Sequence, residues 1–324
     1  MGFLSNILSR RKSSEIFLTY ANDYHTDGAG AQLYRIFGVY ALTRMYGFNY
    51  HHTPMHKIDH QGIEILEGKP LDKEFALPFN KLCQIENDKI LPHNIKTVTI
   101  PNPKMGFERA LYRQWSRGPI LVRIAHPHYI LDRVPHAWGA CKMVTPFQKR
   151  TRSQPLRIAI HVRRGDVHIL DKDRLLPNSY YIRNAKFVKM ILDELDIPHV
   201  IDIHSEAPRK DTTVNPEAPG VYDLAGPVTI KADVDNFEEF QELGEDVRYH
   251  INRPAIESFS EIANADIIIT SKSAFSYLAA ILSPSALVLY FPFWHAPLED
   301  WFTTDIGGNF DLARFKKACR LRMK

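Results

Sequence analysis

The chain has 324 residues, 44% of them apolar and 24% charged, with a formal charge of +4 when histidines are neutral. That length accommodates two domains of ordinary size, and the composition is that of a soluble globular protein. So weak a positive balance offers no concentrated basic face for wrapping nucleic acid, and no run approaches the roughly 18 apolar residues of a transmembrane helix.

The N-terminal MGFLSNILSRRKSSE is the first element to place. Phe3, Leu4, Ile7 and Leu8 share one face of a short helix, and Arg10, Arg11 and Lys12 follow. The apolar part is too short and its charges come after it, which makes a poor secretory signal. Asn6 also breaks the myristoylation pattern. An N-terminal docking segment is the expectation, with weak membrane-surface contact as the alternative. Cys83, Cys141 and Cys319 form neither a disulfide framework nor a CxxC pair. Reduced thiols point to a reducing compartment and a cytoplasmic protein.

EIFLTYAN (15–22) reads as a strand, DGAG as a glycine loop, and AQLYRIFGVYALTRMYGF as a helix by the spacing of Leu33, Ile36, Phe37 and Tyr40. NYHHT, TVTIP and ILVRIAH are the next strands, with helix FERALYRQWSR before the last of them. Residues 135–156 carry Pro135, Pro146 and Pro155 among basic residues and read as a linker. Strands RIAIHV, HVIDIHS, VRYHI, DIIITS and ALVLYF then alternate with helices SYYIRNAKFVKMILDEL, FEEFQEL, AIESFSEIANA and SAFSYLAAIL. This alternation predicts an α/β fold of two Rossmann-like domains facing across a cleft, residues 1–150 and 151–324. Ligands of such sheets bind outside the carboxyl ends of the strands.

Chemistry concentrates at one such end, RIAIHVRRGDVHIL (157–170). His161, Arg163, Arg164 and Asp166 follow strand residues, and no acidic residue precedes them back to Lys142. Arginine stays charged and presents a fork that matches phosphate oxygens, so a fixed arginine can stabilise a diphosphate leaving group. The bland alternatives are a surface strand end with solvated arginines, or Arg164 paired with Asp166. DGAGAQ (27–32) opens a helix after a strand. Gly28 and Gly30 permit close backbone approach, but Leu33 stands where GxGxxG would place its third glycine. Asp27 is either the helix cap or a base at a cleft. SKSAFSYLAA (271–280) sets Ser271, Ser273 and Ser276 around a strand-to-helix turn, able to hold phosphate oxygens or simply to cap the helix. His51, His52, His56 and His60 include helical spacings, but Pro54 interrupts them, so loop histidines are expected and no metal site.

Together, HVRRGD, the glycine loop ending in Gln32 and the AD-x6-SAFS segment resemble the GDP-fucose-dependent fucosyltransferases, a superfamily with α1,2-, α1,6- and protein O-fucosyltransferases. The resemblance runs along most of the chain, through short motifs. It implies two domains in the GT-B arrangement, a metal-independent inverting transfer of fucose from GDP-fucose to a glycan hydroxyl, and no cofactor beyond that donor. It implies that Arg163 contacts the β-phosphate and His161 the guanosine part. Ser271, Ser273 and Phe275 would hold the diphosphate, and Glu257 would read guanine. Asp27 would be the general base, with Asp166 as rival. One departure is Ala31, where relatives carry asparagine. The competing readings are the same fold with another nucleotide sugar, a non-catalytic nucleotide- or glycan-binding protein, and a membrane-surface scaffold using the basic RFKKACRLRMK terminus.

Overall fold

In the computed structural model the chain is described over residues 15–24, 27–58, 62, 69, 72–115, 118–148, 155–215 and 225–322. The N-terminal helix expected from MGFLSNILSRRK and the side chain of His60 lie outside them. Strand Ile16–Tyr20 (β1) is buried along its whole length, as a parallel strand covered on both faces must be. Asn49–Tyr50 (β2), Lys96–Ile100 (β3) and Ile120–Ile124 (β4) complete a parallel sheet of order β2-β1-β4-β3. The expected NYHHT strand stops at Tyr50, and residues 51–58 carry no regular structure.

Helix Ala29–Tyr46 returns the chain from β1 to β2 and is buried from Gln32 to Thr43. A helix apolar nearly all round must be covered on both sides. The 3-10 helix Pro135–Met143 supplies part of the cover: Trp138 packs 4.8 Å from Tyr34, and the Cys141 thiol donates to the Phe37 carbonyl at 3.4 Å. Residues 135–143 are therefore packed structure and not linker, a correction whose physical reason is the apolar Trp138 and Cys141 between the prolines. Gly38 permits another close approach, since a Cβ there would stand 2.6 Å from Pro127 Cγ.

The second sheet holds Leu156–His161 (β5), His199–Ser205 (β6), Val247–Ile251 (β9), Ile267–Ile269 (β10), Leu287–Tyr290 (β11) and Phe302–Thr303 (β12). Thr212–Val214 (β7) and Val228–Ile230 (β8) form a separate antiparallel pair. The order β12-β11-β10-β5-β6-β9 is parallel throughout. Counted from β5 it is the doubly wound order whose direction reverses between its first and fourth strands, here β5 and β10.

The two faces of this sheet differ. Ile158, Ile160, Ile201, Ile203, Ile267, Ile269, Leu287 and Leu289 join one apolar cluster with Tyr180, Tyr181, Ala185 and Val188 of helix Asn178–Glu194. Period-two alternation sends Arg157, His161, Asp202, His204, Arg248 and His250 to the other face. Helix Leu312–Arg322, absent from the sequence expectation, packs Phe315 and Cys319 into the apolar cluster. FEEFQEL is a 3-10 helix, Phe237–Leu243.

The chain divides into two units, Met1–Ile58 with Lys73–Pro146 and Asp59–Asp72 with Phe147–Lys324. Each is an α/β unit on a parallel sheet. Among the described residues no helix is long and apolar enough to cross a membrane.

Candidate functional site

The site is built at the carboxyl ends of the paired strands β5 and β10. β5 ends at His161, and the Val162 amide extends the ladder to the His204 carbonyl at 2.9 Å. The turn that follows uses Gly165 at φ 71, a left-handed backbone that favours glycine. β10 ends at Ile269, and Ser271 comes two residues later, before helix Ala274–Leu282. Its Oγ lies 2.9 Å from His161 Nδ1, so one polar contact joins the two strand ends.

His161 is buried, and its pKa is pushed well below the usual histidine range, first by burial and then by the positive charges of Arg163 and Arg174. It is a neutral ring with one donor and one acceptor. Phe275 packs on it at 5.4 Å and on Phe259 at 5.2 Å, which fixes the ring. Ser273 is the N-cap of helix Ala274–Leu282 and accepts from the Phe275 amide at 3.2 Å. Ser276 lies behind it, 3.3 Å from the Ser271 amide. Ser271 and Phe275 thus contact His161 directly, and Ser273 caps the helix that carries Phe275.

The arginine pair splits. Arg163 is held between Asp166, to which its Nη2 donates, and Glu206, whose Oε1 is 2.6 Å from Nη1. Burial works against its charge, but the two carboxylates outweigh it and raise the pKa above the ordinary arginine value. Arg164 turns into the unit: Nε meets Asp235 at 2.8 Å, Nη2 meets Asn178 at 2.5 Å, and Nη1 donates to the Arg163 carbonyl at 2.9 Å. His168 shares Asp235 at 2.9 Å. The partner of Asp166 is therefore Arg163, and not Arg164 as in one of the bland alternatives. Arg164 orders the loop, whereas Arg163 is the arginine whose charge reaches His161.

Three participants escaped the sequence reading. Glu206 follows β6 directly, and its place beside β5 is visible only once strand order is known. Asp235 arrives from a remote acidic run. Arg174 lies in KDR, where alternating charges read as a solvated turn, yet it stacks 4.7 Å over Trp294 and donates to the Lys272 carbonyl at 3.2 Å.

The remaining candidates stand apart. Glu257 pairs with Arg253 at 2.8 Å, four residues earlier, on an exposed helix start. In the first unit Asp27 pairs through Oδ2 with Arg35, which is buried. Gly28, and not Asp27, is the N-cap, with no side-chain cap bond, and neither Gly28 nor Gly30 has a positive φ. Gln32 is fully buried and ties the loop down through the carbonyls of Asp27 at 2.8 Å and Lys57 at 2.6 Å.

Chemically, the β5–β10 crevice offers a neutral histidine, two serines at a helix N-terminus and two arginine charges, a set suited to an anion with neutral polar groups attached. The sequence matches no protein-family model and no curated protein. Among solved structures the chain is similar to POFUT1 in complex with GDP (TM-score 0.41, 13% identity, 85% of this chain and 96% of that one). It is also similar to NodZ alpha-1,6-fucosyltransferase co-crystallised with GDP (TM-score 0.36, 12% identity, 92% and 97% covered). A third is the iron-containing heptosyltransferase TibC in complex with ADP-D-beta-D-heptose (TM-score 0.35, 11% identity, 96% and 73% covered). Likeness this distant carries no weight on donor, acceptor or mechanism.

Proposed function

We propose that the chain is a glycosyltransferase that moves fucose from GDP-fucose to a hydroxyl of a glycan acceptor, with inversion and without a metal. The observation that carries this reading is the His161–Ser271 contact at the β5–β10 switch point, with the N-cap Ser273 two residues on and the charges of Arg163 and Arg174 acting on the same ring. The choice of guanine and fucose rests on the HVRRGD and SAFS motifs. In the reaction the acceptor oxygen forms a bond to C1 of the sugar as the bond from C1 to the β-phosphate oxygen breaks. The electron pair leaves with GDP, and the acceptor proton passes to a carboxylate. Charge grows on the phosphate, so a fixed cation and helix N–H groups favour the transition state.

Glu206 and Asp166 together neutralise Arg163 more than once over. A diphosphate on Arg163 competes with these carboxylates, and Glu206, 23% exposed against 6% for Asp166, is the more accessible of the two. Asp166 and Asp27 are each paired with an arginine, and Asp27, 37% exposed against 6%, is the more accessible candidate base.

Thermal stabilisation by GDP, GDP-fucose, UDP and ADP at equal concentration tests the donor. A ligand that binds only the folded state adds about 2.7 kcal/mol at a hundredfold excess over its Kd. Selective shifts with GDP and GDP-fucose are expected. A UDP or ADP preference would keep a nucleotide-sugar enzyme and overturn the fucose assignment. Ala31 favours the second reading, a nucleotide-binding protein without catalysis, and GDP release from GDP-fucose separates the two.

A further inference from the structure

The polar face of the second sheet carries another cluster, toward its β9 edge. His204 and His250 are register partners on β6 and β9, and their rings stack at 4.7 Å between centroids. His204 is 1% exposed, yet neither ring nitrogen makes a hydrogen bond. A buried polar ring without partners is costly, and its persistence asks for a reason. Glu261, on helix Ala255–Ala263, places Oε2 3.8 Å from Nδ1 of both rings. Ligand atoms about 2.0–2.1 Å from one tetrahedral ion stand about 3.4 Å apart; here the three atoms lie within 4.8 Å of one another, so the stacked rings tilt toward each other to close on an ion.

His250 is oriented for that role. Its Nε2 lies 2.9 Å from Oδ1 of Asp202, a fully buried carboxylate also tied to Arg157 at 2.9 Å and Arg248 at 2.8 Å. A carboxylate on one ring nitrogen fixes the tautomer that leaves the other as an electron-pair donor, as for metal-bound histidines. Here Nδ1 takes its hydrogen bond from Arg253 Nη1 at 2.8 Å, and the same guanidinium nitrogen is 3.1 Å from Glu261 Oε1. Arg253 thus brings a positive charge to the point where an ion would bring one. Its side chain is 38% exposed and has Glu257 as a second partner at 2.8 Å, so it can withdraw and stay paired.

We propose that His204, His250 and Glu261 form a binding site for a divalent transition ion of the zinc class, closed by the Arg253 guanidinium when no ion is bound. Two imidazoles and one carboxylate are the donors zinc and its neighbours accept, whereas magnesium and calcium ask for oxygen ligands. The ion joins β6, β9 and helix Ala255–Ala263 of one unit, so it fastens the sheet edge, and the assignment is independent of the transferase reading.

The test uses the full chain stripped with a chelator and titrated with Zn²⁺ by calorimetry, and with Co²⁺ by visible absorption. One saturable site with the absorption of four-coordinate cobalt is expected. His250→Asn and Glu261→Gln, both at partly exposed positions, should weaken binding at least tenfold, and His204→Asn should abolish it. Arg253→Ala, on the surface, should tighten it about tenfold. Zn²⁺ binding that survives in the His250→Asn/Glu261→Gln double variant overturns the site. So does the lack of saturable binding in both the unaltered chain and Arg253→Ala. Unchanged affinity in Arg253→Ala overturns the closure by arginine.

Discussion

Arg163 shows at the scale of one residue how stability and chemistry share a side chain. Its charge is balanced by Asp166 and Glu206, so Arg163→Ala leaves two carboxylates facing each other in a half-buried turn. Removing one partner of such a pair costs about 3 kcal/mol. The variant should melt measurably lower and also lose transfer, while Arg163→Ala/Glu206→Gln should recover much of the stability and none of the transfer. Glu206→Gln alone should tighten GDP binding about tenfold in calorimetry. That is 1.4 kcal/mol, a fraction of the roughly 4 kcal/mol exchanged by unit charges 4 Å apart near a surface. Unchanged or weaker binding would mean that Glu206 does not compete with the ligand. Gly165 belongs to the same arrangement: at φ 71, a Cβ would stand 2.6 Å from Glu206 Cδ. Asp27→Asn leaves the buried Arg35 without its carboxylate. If Asp27 is the base, this variant loses transfer and keeps GDP affinity; loss of both together would assign it to structure alone.

At the scale of elements, capping and docking separate function from support. Ser273→Ala removes the cap of helix Ala274–Leu282, worth about 1 kcal/mol. If Ser273 also holds phosphate oxygens, GDP affinity falls beyond what the lower Tm accounts for. The C-terminal basic stretch is docked on the second unit. Phe315 and Cys319 face the apolar cluster, Arg314 donates to the carbonyls of Trp301 at 3.2 Å and Glu299 at 3.0 Å, and Lys316 pairs with Glu194. Phe315→Ala should cost about 3–5 kcal/mol in denaturant titrations. A loss under 1 kcal/mol would mean that the helix does not contribute to the core.

For the whole molecule, buried neutral groups set the response to pH. His52 is pushed down to about 4 by burial and by His51, and His161 is also held well below its ordinary value, first by burial and then by Arg163. A depressed pKa means that the unfolded chain binds the proton more readily. The stability these groups confer is therefore complete above about pH 6.5 and is lost as pH falls from there toward 4. Tm should decline over that window, and His52→Gln should make the decline shallower. An identical slope would remove His52 from the account. The thiols of Cys83 and Cys319 are pushed up to about 12 by burial, and that of Cys141 is raised further. Labelling of Cys141 reports opening of the first unit and labelling of Cys319 that of the second.

The alternation of apolar runs with helical spacing determined by itself that two parallel sheets would form, because burial on both faces leaves a strand little choice of residue. HVRRGD and SKSAFS likewise carried the expectation of an anion site, through residue type and their place at strand ends. Strand order was decided only by the tertiary structure. It places Ser271 against His161 across 110 positions of sequence, sets Glu206 beside Arg163, and turns Arg164 inward to Asp235. The linker expected over 135–156 was too long at its start for the same reason, since prolines mark a break in regular structure but not whether Trp138 has a helix to pack against, while the boundary between the two units does fall within it, at Pro146 and Phe147. The row of His204 and His250 was invisible in HVIDIHS and VRYHI, because which histidines face each other depends on the register between two strands nearly fifty residues apart, and local sequence does not encode it.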